Sequence, residues 1–489
     1  MNTVVEQGLK YFKEPVRLAF LGSVILSLIA FLGFVTIGKD GAFYIDIAQS
    51  VSRDGLHIAF ERFNWPWYSI LISLIHSLTS LDHELIAMVL SVLFMAGACS
   101  CVVATVKNKT PEAAYWAVLL VLSIPVFNGF RESIIRDTGF WFFVLLTVWA
   151  VSTSIHIGFI RGFAIQLFIL AAALFRLEAV FIIPAVFVYL LVDGRVISIK
   201  DRFLNVFSVT YIFSLIAFIG IVYILIKGGL SQERIDYYFN LVNPYKVYQT
   251  LLLKSDQFAK ASLLKWSYSD AGMILFFGFL FTLIIRLLEY AGVFSLFLLS
   301  GAGRRSFLVS ASNYKINSIS MFFYFIVLLT FFIQVGFINS RYSSMFVWLA
   351  VPMMSITLYE LNKGFPKLTK AFVIVSILFM FANVISTSVK KTHYLEAAEW
   401  IMEHTNVEDT IYYEDSRIAY YAGRGYPEMP DVNQVLEGEV ERARFKYFVI
   451  EASVKDQELL SKAATLNLHL LSEKTNGKKT LYIFKNHSQ

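Results

Sequence analysis

The amino-acid sequence predicts an all-α polytopic membrane protein with a small α/β domain at its C-terminal end. Three observations carry that expectation. Of 489 residues 57% are hydrophobic and only 16% charged, against roughly one quarter charged in a soluble domain. Apolar blocks near the ~20 residues that a helix needs to cross a bilayer recur through most of the chain, where barrel strands would alternate instead. Beyond residue 388 the blocks stop and short, charged segments begin.

The first span covers about 16–37, behind Lys10, Lys13 and Arg17. Its apolar core exceeds the ~7–15 residues of a cleaved signal, so it is expected to be retained as an anchor. Further spans fall at about 84–106, 113–128, 138–158, 162–175, 177–192, 204–227, 271–298, 318–338, 343–360 and 370–388, giving about eleven. The stretch 65–81 opens with Trp65, Trp67 and Tyr68 and is read as a juxtamembrane helix anchored at headgroup level. Left out of the count, it puts Lys107/Lys109, Arg161, Arg195/Lys200/Arg202, Arg304/Arg305/Lys315 and Lys363/Lys367/Lys370 on the cytoplasmic side with the N-terminus. Counted as a crossing, it would put all of them outside, against the positive-inside bias. The reading is therefore a multi-pass plasma (inner) membrane protein with an extracytoplasmic C-terminus, periplasmic in a Gram-negative cell.

Outer segments then comprise 38–64, 129–137, 228–270 and 389–489, with sharp turns at Arg176 and at Asn339–Arg341. These carry Lys39, Arg131, Arg136, Arg176, Lys227, Arg234, Lys246 and Arg341, basic residues on the side where the bias opposes them. An anionic ligand at the outer surface would compensate. The domain division is 1–388 for the membrane part and 389–489 for the outer part. In the latter, HYLEAAEWIMEHT reads as a helix, TIYYED as a strand and SRIAYYAG as a helix stopped by Gly423. KYFVIEAS reads as a strand, VKDQELLSKAATL as a helix, and LHLLSEK with KTLYIFKN as a closing strand pair. Arg417 and Arg424 are read as solvated surface.

The formal charge of +6 is spread over loops with no basic stripe, so nucleic acid is not an expected partner. Cys99 and Cys101 lie inside an apolar run at a spacing that points them to different helix faces, as packing groups. No HExxH, CxxC, Walker, Rossmann or GxSxG pattern is present.

Four constellations carry chemistry. In GKDGAFYIDIA, Asp40 sits near the start of a short helix with Tyr44 one turn on. A carboxylate there serves as a general base or as a plain N-cap paired with Lys39 or Arg53. In NGFRESIIRDTGF, Arg131 and Arg136 could clamp a phosphate. Asp137 there is a second acid/base, a metal ligand or the partner of Arg136. In FRLE, Arg176 and Glu178 interrupt an apolar stretch, and such charges default to a functional hypothesis. INSRYSS adds Arg341 and Tyr342 at another tight turn.

Taken in order, these segments resemble the GT-C superfamily of membrane glycosyltransferases, in the branch of protein O-mannosyltransferases and lipid A aminoarabinose transferases. The resemblance rests on the Asp40–Ala48 motif after the first span, the FNWPWYSILISLIHSL segment, the VKNKT turn and Arg131–Asp137. It continues through FRLEAVFIIP, Arg341-Tyr342 with Pro352 ten residues beyond the Tyr, and EAAEWI…YYAGR. Gly41 stands where the family commonly has an acid, and Asn64-Trp65-Pro66 where it has Lys-Pro-Pro. The resemblance implies transfer of a sugar, with inversion, from a polyprenyl-phosphate donor to a lipid, glycan or protein acceptor on the outer face. It implies Asp40 as base and Asp137 as the second acidic position. Arg131, Arg136, Arg176 and Arg341 become candidates for the lipid phosphate, with Lys39, Tyr44, Glu178 and Tyr342 around the substrate. No cofactor is assigned, and metal dependence stays open, a divalent cation being admitted. The competing readings are a flippase or transporter, or an O-antigen-type polymerase or ligase, for lipid-linked glycans.

Overall fold

The computed structural model describes residues 14–196, 198–227, 240, 243–385, 389–454 and 456–486. Lys10, Lys13 and Arg234 lie outside these, as does the side chain of Lys227. By internal contacts the chain forms two units: Met1–Ile29, Leu90–Arg131 and Arg136–Val384 in one, Ala30–Val89, Glu132–Ile135 and Ile385–Gln489 in the other.

The first unit is helical. Six helices of the described chain are long and apolar enough to cross a membrane: Pro15–Leu32, His83–Lys109, Lys265–Leu299, Lys315–Val335, Ser340–Gly364 and Pro366–Val384. With the composition they make this an integral membrane protein. Shorter apolar helices occupy Pro111–Ser123, Asp137–Ser152, Phe159–Phe175 and Leu177–Val192, and a further helix spans Ile199–Lys227. Each expected span has a helix, with two departures. The 113–128 stretch breaks at Ile124–Pro125, because proline cannot donate to the preceding turn. The 271–298 stretch ends its α-helix at Ala291, where Gly292 takes φ +61°, and continues as a tighter 3-10 turn to Leu299. Two helices were not foreseen, Pro244–Ser262 and Gly301–Asn313, because neither carries a long apolar run.

Ser340–Gly364 is the axis of this unit: 72% of its most apolar window is buried, against 17% for Lys265–Leu299 and for Pro366–Val384. Trp348 on it is fully buried and stacks on Phe127 at 3.6 Å between ring centres. Elsewhere small residues let helices approach. A Cβ on Gly162 would meet the Ser208 carbonyl oxygen at 2.1 Å, and the Gln166 amide donates to that same oxygen at 3.0 Å.

The second unit holds a four-stranded sheet: β1 Ile411–Tyr413, β2 Tyr447–Ser453, β3 Leu468–Thr475 and β4 Lys479–Asn486, in the order β1-β2-β4-β3. β1 and β2 are parallel; β4 is antiparallel to both neighbours. Period-two alternation separates the faces. Ile411, Tyr413, Val449, Leu481 and Ile483 pack on the Thr392–His404 helix through Tyr394, Ala397 and Ile401. Tyr412, Phe448, Ile450, Tyr482 and Phe484 pack on Leu459, Leu460 and Ala463 of Gln457–Thr465. Every expected strand and helix of this segment is present. Burying both faces explains why the central strands read as apolar runs.

This unit is larger than the expected 389–489 domain. It includes Lys39–Asp54 and Trp67–Thr79, which pack together; the latter, at 13 residues, is too short to span. Specific bonds explain the grouping. The Tyr421 hydroxyl accepts from the Ile37 amide at 2.5 Å, Arg417 donates to the Ile37 carbonyl at 3.4 Å, and Arg62 donates to the Tyr426 carbonyl at 3.2 Å. Gly425, at φ +73°, passes so close to Asp46 that a Cβ would lie 3.2 Å from its carboxylate oxygen.

Candidate functional site

In the helical unit, three turns far apart in sequence bring their charges together. Asp137 is the first residue of Asp137–Ser152, Arg176 follows the last residue of Phe159–Phe175, and Arg341 is the second of Ser340–Gly364. All three therefore sit at helix ends. Arg176 donates through Nη1 to Asp137 Oδ1, and through Nη2 to Glu178 Oε1 at 2.5 Å. Arg341 Nε lies 2.8 Å from Asp137 Oδ2. Asp137 is 1% exposed and Arg176 3%, so this is a desolvated array rather than a surface ion pair. The Arg176 guanidinium also lies over the Tyr342 ring at 4.5 Å. Tyr342 is held in turn: its amide donates to the Asn339 side chain at 3.1 Å and its carbonyl accepts from Tyr324 at 2.7 Å.

The second-loop residues separate. Arg136 is half-buried at the N-terminus of Asp137–Ser152. Arg131 is fully buried; it donates to Asn128 Oδ1 at 2.7 Å, Ser23 Oγ at 2.8 Å and the Ser23 carbonyl at 3.1 Å. It clamps the first helix to this loop. The sequence offered no sign of that, since Ser23 lies 108 residues away. Asp137 pairs with Arg176 and Arg341, each from another turn.

A cavity of about 320 Å³ adjoins this region, lined by Pro125, Val126, Gly129, Phe130, Glu289, Tyr290 and Ser340. Ser340 precedes Arg341. Glu289 and Tyr290 were missed because Glu289 is an unremarkable neighbour of Arg286 in the sequence, with which it pairs at 2.7 Å.

In the second unit, Asp40 lies in the first turn of Lys39–Asp54, half-buried, and Gly38 is the N-cap. Lys39 reaches Asp415 at 3.3 Å and Arg53 reaches Asp54 at 3.0 Å. Tyr44 is buried among Phe43, Phe63 and Tyr68. Asp46 pairs with Arg62 at 2.5 Å.

The same unit holds an ionic network at the C-terminal ends of β1 and β2. Arg417 grips Asp415 with Nε at 2.8 Å and Nη2 at 2.7 Å, over the Tyr394 ring at 4.8 Å. The single Tyr394 hydroxyl proton is shared between Asp415 at 3.2 Å and Glu451 at 3.1 Å. Glu451 also meets His393 at 3.1 Å and Lys479 at 2.6 Å. Burial opposes ionisation of Glu451, but hydrogen bonds from His393, Lys479 and Tyr394 hold its pKa down at about 2. Burial likewise opposes charge on Asp415, and the bonds from Arg417 outweigh it, lowering its pKa. Arg417 and Arg424 are thus not solvated surface. Arg417 is 6% exposed, and Arg424 caps the Thr405, Asn406 and Asp409 carbonyls.

Among the described residues no group of three or more His, Cys, Asp or Glu side chains is placed to hold a metal ion. Cys99 and Cys101 are buried and unpaired with each other.

No family model matches the chain, and no curated protein matches it. Among solved structures the chain is similar to ArnT from Cupriavidus metallidurans in the apo state, with a TM-score of 0.43 and 12% identity, over 95% of this chain and 97% of that one. A likeness of that degree assigns no activity.

Proposed function

We propose that this chain is an integral-membrane glycosyltransferase that takes its sugar from a polyprenyl-phosphate donor. The observation that carries the reading is the Asp137–Arg176–Glu178–Arg341 array, with its Asp137–Arg176 pair buried, assembled from three separate helix ends beside a cavity of about 320 Å³. A cavity of that size falls within the range of small-molecule sites.

The chemistry divides as follows. The acceptor hydroxyl loses its proton to a carboxylate, its oxygen attacks the anomeric carbon, and the sugar–phosphate bond breaks with the electron pair leaving on the phosphate. Guanidiniums fixed before the reaction stabilise that growing charge without reorganising. Arg341 and Arg136, more exposed than Arg176, are the proposed phosphate ligands. Asp137 and Glu178 are positioning residues, since their oxygens already orient Arg176 and Arg341. Asp40 is the proposed base, with the acceptor a lipid, glycan or protein.

The test is a complemented deletion strain carrying Asp40→Asn. The glycan product is expected to disappear at unchanged protein level; a normal product would end Asp40's assignment.

A further inference from the structure

A second, apolar cavity in the helical unit has no part in the array described above. It measures about 230 Å³ and is lined almost wholly by hydrophobic side chains, among them Leu287, Phe297, Phe307, Phe325, Val347 and Ala350. An apolar cavity of about 150 Å³ already stays dry and takes a benzene-sized guest. The side is open: Ile284 and Leu288 on its edge are 37% and 40% exposed.

One end is cationic. The helix Gly301–Asn313 connects two membrane-length helices, Lys265–Leu299 and Lys315–Val335, so this segment lies at a membrane face. Arg304 donates to the carbonyls of Leu298 and Leu299, at 3.1 and 3.2 Å, and Leu298 is a wall of the cavity. Phe307, one turn on, is another. Arg305 is exposed beside it, and so are Leu308 (69%) and Val309 (56%), apolar groups that a membrane surface would cover. From Tyr290 to Tyr359 there is no Asp or Glu, while Arg304, Arg305 and Lys315 fall in the connecting segment. Glu289, the last acid before this stretch, pairs with Arg286. Lys109 joins the same face by donating to the Asn313 carbonyl.

The geometry points to a binding site for an anionic phospholipid, with one acyl chain in the cavity and the phosphate on Arg304 and Arg305. Basic groups at the mouth of a pocket between membrane helices recognise such headgroups, and the walls accept a hydrocarbon chain and little else. The site stands independently of the transferase reading.

The test is native mass spectrometry of the full-length protein from micelles holding equal phosphatidylglycerol and phosphatidylcholine with the same acyl chains. Phosphatidylglycerol should be retained at least tenfold in preference. Arg304→Gln/Arg305→Gln should erase the preference, and Ala350→Phe, which fills the cavity, should remove retention with both arginines in place. Because Arg304 also caps two carbonyls, Arg305→Gln alone is the second variant, expected to weaken the preference severalfold at unchanged melting temperature. Equal retention of both lipids, a preference untouched by either arginine variant, or a polyprenyl phosphate displacing phosphatidylglycerol would overturn the proposal.

Discussion

The two units of this molecule hold their charges differently. The centre of the helical array is dry: Asp137 and Arg176 are 1% and 3% exposed, and each carboxylate oxygen of Asp137 meets a different arginine. The network around Asp415 and Glu451 is built on a sheet edge and rimmed by Lys39 and Lys479, whose side chains are 62% and 57% exposed. Burial raises the stakes of an ion pair: removing one partner strands the other charge without water. At a wet rim the same change is nearly silent. The first arrangement therefore has to be over-determined, and it is, by partners from three helix ends. The second tolerates loss at its edge and concentrates its importance in Glu451 and Asp415.

The largest expected effect follows from the first unit. Asp137→Asn leaves Arg176 and Arg341 short of a carboxylate and should cost about 3–5 kcal/mol, read as a fall in melting temperature of the purified protein. A change within about 0.5 kcal/mol would mean the array is hydrated in solution. Next is Asp40→Asn, a functional rather than a structural change: transfer should fall by ~10²–10⁴-fold, the usual share of a general base. Stability should move by less than about 1 kcal/mol, the most a helix-terminal charge usually contributes at a surface.

Third is acid sensitivity of the sheet-bearing unit. Glu451 is held near 2 against an ordinary 4.5. A depressed carboxyl contributes stability that is present above its unfolded value and lost as pH falls through the folded one. Asp415 acts in the same direction. Thermal melts of wild type should therefore weaken from pH 5 downward, by up to about 3 kcal/mol for Glu451. Glu451→Gln should start lower and flatten that slope; an unchanged slope would remove Glu451 from the account. The smallest effect is Lys39→Ala, worth no more than about 1 kcal/mol, even though Lys39 lies 3.3 Å from Asp415.

How much of this was legible in the chain depends on the range of the cause. Helices driven by apolar length and strands driven by alternation could be read directly, and the C-terminal segment's strands and helices followed in order. The meeting of Arg176 with Asp137 was anticipated only as a convergence of outer turns, since 39 residues separate them. Arg131 resisted reading: a basic residue in a charged loop looks solvated or ligand-bound, yet its partners are the Asn128 side chain and Ser23 on the first helix. Arg417 misled for a related reason, because only the folded sheet shows that Tyr394 lies beneath it. The inclusion of Lys39–Asp54 with the sheet was likewise invisible, resting on bonds that span more than 360 residues.

The central claim is that guanidiniums at these helix ends receive a lipid-linked phosphate. The most direct measurement is equilibrium binding of a polyprenyl phosphate to the purified protein and to Arg341→Gln, with melting temperatures taken in parallel. Loss of charge-assisted hydrogen bonds worth about 1.5–3 kcal/mol predicts roughly 10–100-fold weaker binding, with the fold intact. Equal affinity of the two proteins would contradict the account.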